Sequence, residues 1–142
     1  MPTIVVPARM DHLDDAKDYL KQAVPPAFAA RIPNVILVAE ELLVNVFSYA
    51  YPDGEEGEAE ISIGTVDSDG EEMLEFTVRD WGDAFNPFEE APVPDLSLDV
   101  EGRPIGGLGI FLIKQVSQKQ SWTYEDGSNF IRILFSKTPA AL

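Results

Sequence analysis

Glu41 and Asn45 stand four residues apart in the run NVILVAEELLVNVFSYAY, with Ser48 three further on. On a helix that spacing puts all three on one face, with Asn34 two turns earlier on the same line. Nearly every other position of the run is Val, Ile, Leu, Ala, Phe or Tyr, and a helix apolar almost all round is a buried one. A carboxylate in that setting needs a partner, a metal or a water-filled pocket, because burying it unpaired costs several kcal/mol. A core helix whose Glu41 caps a loop or pairs with an arginine accounts for the stripe equally well. Glu40 points about 100° away and reaches solvent.

Two glycine-containing segments downstream carry chemistry of their own. Asp80-Trp81-Gly82-Asp83-Ala84-Phe85-Asn86-Pro87 follows directly from a strand pattern. An aspartate at a buried strand end can accept a hydrogen bond from an exocyclic amine, and Gly82 lets a flat ring approach the backbone. An ordinary Asp/Gly turn is the competing reading. Gly106-Gly107-Leu108-Gly109 precedes an apolar helical run. Its backbone N–H groups and the positive end of the helix dipole suit an anion, although a plain glycine cap is also consistent. No Lys-Ser/Thr follows and no G-x-G-x-x-G follows a strand, which excludes a P-loop and a dinucleotide fingerprint.

The elements that must position these segments follow from periodicity. Residues 3–7 (TIVVP) read as an edge strand flanked by prolines. Residues 11–24 read as an amphipathic helix with Leu13, Ala16, Leu20 and Val24 on one face, ended by Pro25 and Pro26. Residues 27–33 link it to the helix at 34–51. Alternation predicts strands at 59–66 and 73–79 around the turn Asp67-Ser68-Asp69-Gly70, and a closing hairpin of 120–124 and 129–136 around Glu125-Asp126-Gly127-Ser128. Between them lie a long Pro-, Gly- and Asp-rich connection, of the length that marks a lid or binding loop, and, over 105–117, a glycine turn opening into an apolar helix. The order β-α-α-β-β-lid-α-β-β is α+β: a two-layer sandwich, a mostly antiparallel mixed sheet with helices on one face.

The 142 residues fit one domain, 1–142, and 45% hydrophobic content is ordinary for a globular chain. There is no cysteine, which excludes a thiolate zinc site, and the single histidine, His12, argues against a histidine-based metal site or a Ser-His-Asp triad. A net charge of −15 argues against nucleic acid or an anionic membrane as partner. The N-terminus has no signal-peptide pattern and no run is long enough to span a membrane, so the cytoplasm is the expected location.

Taken together, E-x-x-x-N on a helix, D-x-G-x-x-F-x-P after a strand, a long connection and GGLG-I-x-L-I resemble the GHKL superfamily of ATPases, which includes gyrase, heat-shock chaperone, histidine kinase and MutL. The short chain and the strand-helix before the E-x-x-x-N helix look like the RsbW-type anti-sigma factors, which are serine-protein kinases. The resemblance implies a Bergerat-type ATP-binding fold with ATP and Mg²⁺ as cofactors and a lid at about 88–105. It implies Glu41 as the catalytic base, Asn45 as the Mg²⁺ ligand, Asp80 as the acceptor of the adenine amine and Gly82 beneath the ring. Gly106, Gly107, Leu108 and Gly109 would meet the phosphates, and Ser48, Phe85, Arg103 and Ser128 complete the implied ATP site. The implied activity is phosphorylation of an anti-sigma-antagonist-like protein, with a sigma factor bound when the protein is free and room for a homodimer. A nucleotide-sensing binding module of the same fold without kinase activity is the alternative. The sequence departs from the family at Ala84, where the second glycine of D-x-G-x-G belongs, and at Tyr49, where a histidine is frequent. Its lid carries Glu89, Glu90, Asp95, Asp99 and Glu101 against one cation, Arg103.

Overall fold

A computed structural model describes residues 3–52, 55–90 and 107–138. Five strands form one sheet in the order β1-β2-β3-β5-β4: β1 is Thr3–Pro7, β2 Glu58–Ser68, β3 Glu71–Asp80, β4 Lys119–Glu125 and β5 Ser128–Phe135. Every pairing is antiparallel. Two hairpins build most of it, and each turns on a pair of residues with positive φ. These are Asp69 and Gly70 (53° and 83°) and Asp126 and Gly127 (53° and 76°). Asp-Gly pairs suit that turn because its twist matches the strands and aspartate tolerates the left-handed region.

Side chains alternate across the strands, and the rows Ala59, Ile61, Ile63; Leu74, Phe76, Val78; and Ile131, Ile133, Phe135 share one buried cluster. Helix α1 (Leu13–Ala23) adds Ala16 and Leu20, and α2 (Ile32–Asn45) adds Val35, Val38, Ala39, Leu42 and Leu43. The short α3 (Pro87–Glu90) follows the Asp80 turn, and helix α4 (Gly107–Val116) adds Ile110 and Ile113 to the cluster. The helices thus cover one face of an α+β sandwich. On the other face, rows out of phase with the core carry Ser62 bonded to Thr77, Glu75 paired with Arg132, and Arg79 stacked 4.6 Å above the Phe130 ring.

The structure revises three boundaries. The stretch at 27–33 is a 3₁₀ segment, Pro26–Arg31, which ends in a wholly buried arginine. Arg31 donates to Asn34 Oδ1 (3.0 Å), to the Val116 carbonyl at the end of α4 (3.2 Å) and to Ser136 O (2.7 Å). Its cation therefore complements the carbonyl end of α4, and Asn34 belongs to this clamp rather than to the polar stripe. The expected helix at 34–51 is α2 followed by a π-helical turn, Val46–Ala50, directly after Asn45. Gly107, Leu108 and Gly109 do not form a turn ahead of a helix but are themselves the first turn of α4.

Candidate functional site

A cavity of about 460 Å³ opens between three elements. The C-terminal part of α2 and its π turn contribute Leu42, Asn45, Val46, Tyr49 and Ala50. The turn after β3 contributes Asp80, Asp83, Ala84, Phe85 and Pro87, and β5 contributes Asn129 and Ile131. The π turn suits the role, since the extra residue in such a turn re-aims the side chains that follow it. Tyr49 is 76% exposed at the rim.

Asp80 ends the buried row Leu74, Phe76, Val78 and is only 6% exposed. Its Oδ1 accepts from the Gly82 N–H (2.9 Å) and from Asn129 Nδ2 (3.0 Å). Among the described residues no donor reaches Oδ2, so that oxygen remains to accept a hydrogen bond in the cavity. The Tyr51 hydroxyl holds the turn from behind, donating to the Glu58 carbonyl (2.6 Å) and accepting from the Trp81 N–H (3.0 Å). Burial pushes the Tyr51 phenol above its ordinary value, which keeps it a donor. Gly82 is buried against the π turn, where a Cβ would run into the Ala50 carbonyl. Its bareness serves the packing of turn on helix. Ala84 has ordinary backbone geometry: among the described residues positive φ outside glycine occurs only at Asp69 and Asp126. Its methyl group in place of a glycine is therefore unstrained.

Glu41 is half-buried one turn before Asn45, with its carboxylate packed on the first turn of α4, where a Cβ on residue 109 would overlap it. Burial first, and then the charge of Glu40, raises its pKa above the ordinary carboxylate value. Among the described residues no cation pairs with it. Glu40 turns outward to Lys17 at 3.5 Å, as its position on the helix predicts.

The structure thus brings Asn45, Asp80 and Phe85 into one cavity wall and sets Glu41 against Gly109. Gly107 and Leu108 lie in the same helical turn as Gly109, ahead of Ile110. Ser48 is exposed and does not line the cavity. Ser128 is buried on the opposite side of β5, bonded to Arg79 (2.8 Å) and to the Glu125 carbonyl (2.9 Å). Its neighbour Asn129 is the residue that faces Asp80. Arg103, Gly106 and the greater part of the lid lie outside the described residues. Asn129 had a readable signal, being the polar member of the core-facing row Asn129, Ile131, Ile133, Phe135.

These features fit an adenine nucleotide. The volume lies in the range of ligand pockets, about 300–1,000 Å³, and the lining is mostly apolar with a few polar atoms. An acceptor oxygen at the buried end suits an exocyclic amine. Among the described residues no cluster of three His, Cys, Asp or Glu could hold an ion by itself. Mg²⁺ needs none, because it commonly keeps waters and phosphate oxygens beside one or two protein ligands, and Asn45 offers an amide oxygen. No helix among the described residues is long and apolar enough to cross a membrane.

Comparison with known proteins points the same way. A family model described as "Histidine kinase-like ATPase domain" matches residues 6–135. That span runs from β1 to the end of β5 and contains all three motif segments. Among curated proteins no match is found.

Proposed function

The chain belongs to the histidine kinase-like ATPase family, and we propose that it is an Mg·ATP-binding regulatory protein acting as a serine kinase on a small partner protein. The partner is of the anti-sigma-antagonist type, and a sigma factor is the protein bound when the kinase is free. The observation that carries nucleotide binding is the cavity whose buried end presents Asp80 Oδ2 beside the bare Gly82. When bound, Mg·ATP would supply the γ-phosphoryl group, with ADP as the leaving group, and the cation that offsets its charge. Asp80 accepts from the base, and Asn45 directs its amide oxygen to the ion. Glu41, raised in pKa by burial, takes the proton of the attacking seryl hydroxyl at its carboxylate.

One observation favours a second reading, a nucleotide-sensing switch without transfer. No lysine or arginine is found among the described residues lining the cavity, and Lys114 on α4 is engaged with the Phe88 carbonyl (3.2 Å). Phosphoryl transfer benefits from such cations at the developing charge.

Calorimetry with ATP and ADP, with and without Mg²⁺, tests the common part. Asp80→Asn is expected to weaken either nucleotide by about 1–3 kcal/mol, the cost of spoiling a buried hydrogen bond to a charged group. Unchanged ADP affinity would remove Asp80 from the base site. Radiolabel transfer to antagonist-type proteins separates the readings. Glu41→Gln should bind ATP yet transfer about 10²–10⁴-fold more slowly. Binding with no transfer to any partner selects the switch.

A further inference from the structure

The side chain of Asn129, 3% exposed, is fully used. Its Oδ1 accepts from the Phe85 backbone N–H (2.9 Å) and from the Trp122 indole Nε1–H (3.0 Å). Its Nδ2 donates to Asp80 Oδ1 (3.0 Å) and to the Asp83 carbonyl (2.9 Å). A backbone N–H and an indole N–H only donate, while a carboxylate and a carbonyl only accept, so one amide orientation alone satisfies all four. Two consequences follow. Asn129 has no capacity left to read a ligand itself. Asp80 has Oδ1 committed to Asn129 and Gly82, and Oδ2 is the oxygen it can offer to the cavity.

Trp122 is not among the residues lining the cavity. It lies on β4, paired in register with Ile131, and reaches Asp80 only through Asn129. Its N–H anchors the amide to the sheet, whereas the other donor, Phe85, belongs to the turn being positioned. Donation into Oδ1 also polarises the amide and strengthens the Nδ2–H bond to Asp80, because linked hydrogen bonds reinforce one another.

We propose that Trp122 is a positioning residue for base specificity: through Asn129 it holds Asp80 so that one carboxylate oxygen meets the ligand. Such an oxygen accepts from a ring amino group and repels a ring carbonyl. The site is thereby selective for a 6-aminopurine over a 6-oxopurine. This rests on the nucleotide reading above.

Calorimetry with Mg²⁺ and either ATP or inosine triphosphate, which differ in the base at C6 and in the proton that N1 carries in the oxo form, tests it. The proteins are wild type, Trp122→Phe, and the chain with 3-benzothienylalanine at position 122, which keeps the shape of tryptophan and has sulfur in place of the N–H. Wild type should prefer ATP, and both variants should narrow the preference by about three- to tenfold, the scale of one hydrogen bond. A purely packing role leaves the benzothienyl protein at the wild-type ratio, and that result would overturn the proposal. Should Trp122→Phe fail to fold, the benzothienyl protein decides alone. Wild type that binds neither nucleotide would end the nucleotide reading and this inference with it. That outcome differs from ATP binding with an unmoved ratio, which ends this inference only.

Discussion

Glu41, the proposed base, works against the stability of its fold. Its carboxylate is half-buried beside Glu40, and both surroundings favour the protonated form. A carboxyl whose folded pKa lies above its unfolded value contributes stability that is complete below the unfolded value. That contribution is lost as pH rises through the folded one. At neutral pH the charged Glu41 is therefore a cost, and Glu41→Gln, which keeps the shape without the charge, should remove it. The variant is expected to melt higher than wild type at pH 7, with the gain shrinking as pH falls into the carboxylate range. Melting curves across that range check this. A gain independent of pH would mean that the charge is not its source. The same substitution abolishes the proposed base, so opposite changes in stability and transfer are the signature of a functional residue. The stripe Glu41, Asn45, Ser48 was legible from spacing alone, but its outcome was not. Asn45 lines the cavity and Ser48 does not, because the chain leaves α-helical pitch after Asn45 and i, i+3 spacing no longer predicts a shared face.

The elements were read well where one rule dominated and poorly where tertiary packing decided. Alternation and Asp-Gly turns located β2, β3, β4 and β5 to within a residue or two at most ends. Ser128, which the resemblance implies for the ATP site, points away from the cavity, and its neighbour Asn129 faces Asp80. In a strand that single step moves a side chain to the other face of the sheet, and only phase with Ile131, Ile133 and Phe135 singles out Asn129. The buried Arg31 clamp joins Ile32–Asn45 to the end of α4 over long sequence distances, beyond what a local pattern contains. It also bears on the site, since α4 meets Glu41 at Gly109. A helical glycine replaced by alanine ordinarily gains about 0.5–1 kcal/mol from backbone entropy. At Gly109 that gain should be reduced, because the new Cβ would occupy the space of the Glu41 carboxylate and the side chain must swing aside. Gly109→Ala is expected to show little or none of the usual gain and to weaken ATP binding. The double variant with Glu41→Ala should show the full gain relative to Glu41→Ala alone. Chemical denaturation of the four proteins measures the coupling, and additive effects would separate Gly109 from Glu41.

At the scale of the whole molecule, charge outweighs any single contact. Twenty-five carboxylates face ten lysines and arginines, a net of −15. Their self-repulsion disfavours the compact state. Opposing this are surface pairs such as Arg9–Asp11, Lys119–Asp69 and Lys137–Glu72, which solvent screens so that each contributes little. Salt weakens both, and the excess of like charge decides the balance. Raising NaCl from about 10 mM to about 300 mM brings the Debye length from about 30 Å to below 10 Å. Repulsion across the molecule is then screened, while partly buried contacts such as Glu75–Arg132 change little. The melting temperature should therefore rise with NaCl, by about 2–5 °C if the relief is near 1 kcal/mol. Sodium chloride is the right probe, since sulfate would raise stability by exclusion from any protein surface. A flat or falling melting temperature over that range would show that local ion pairs, and not the net charge, set the electrostatic stability of this fold.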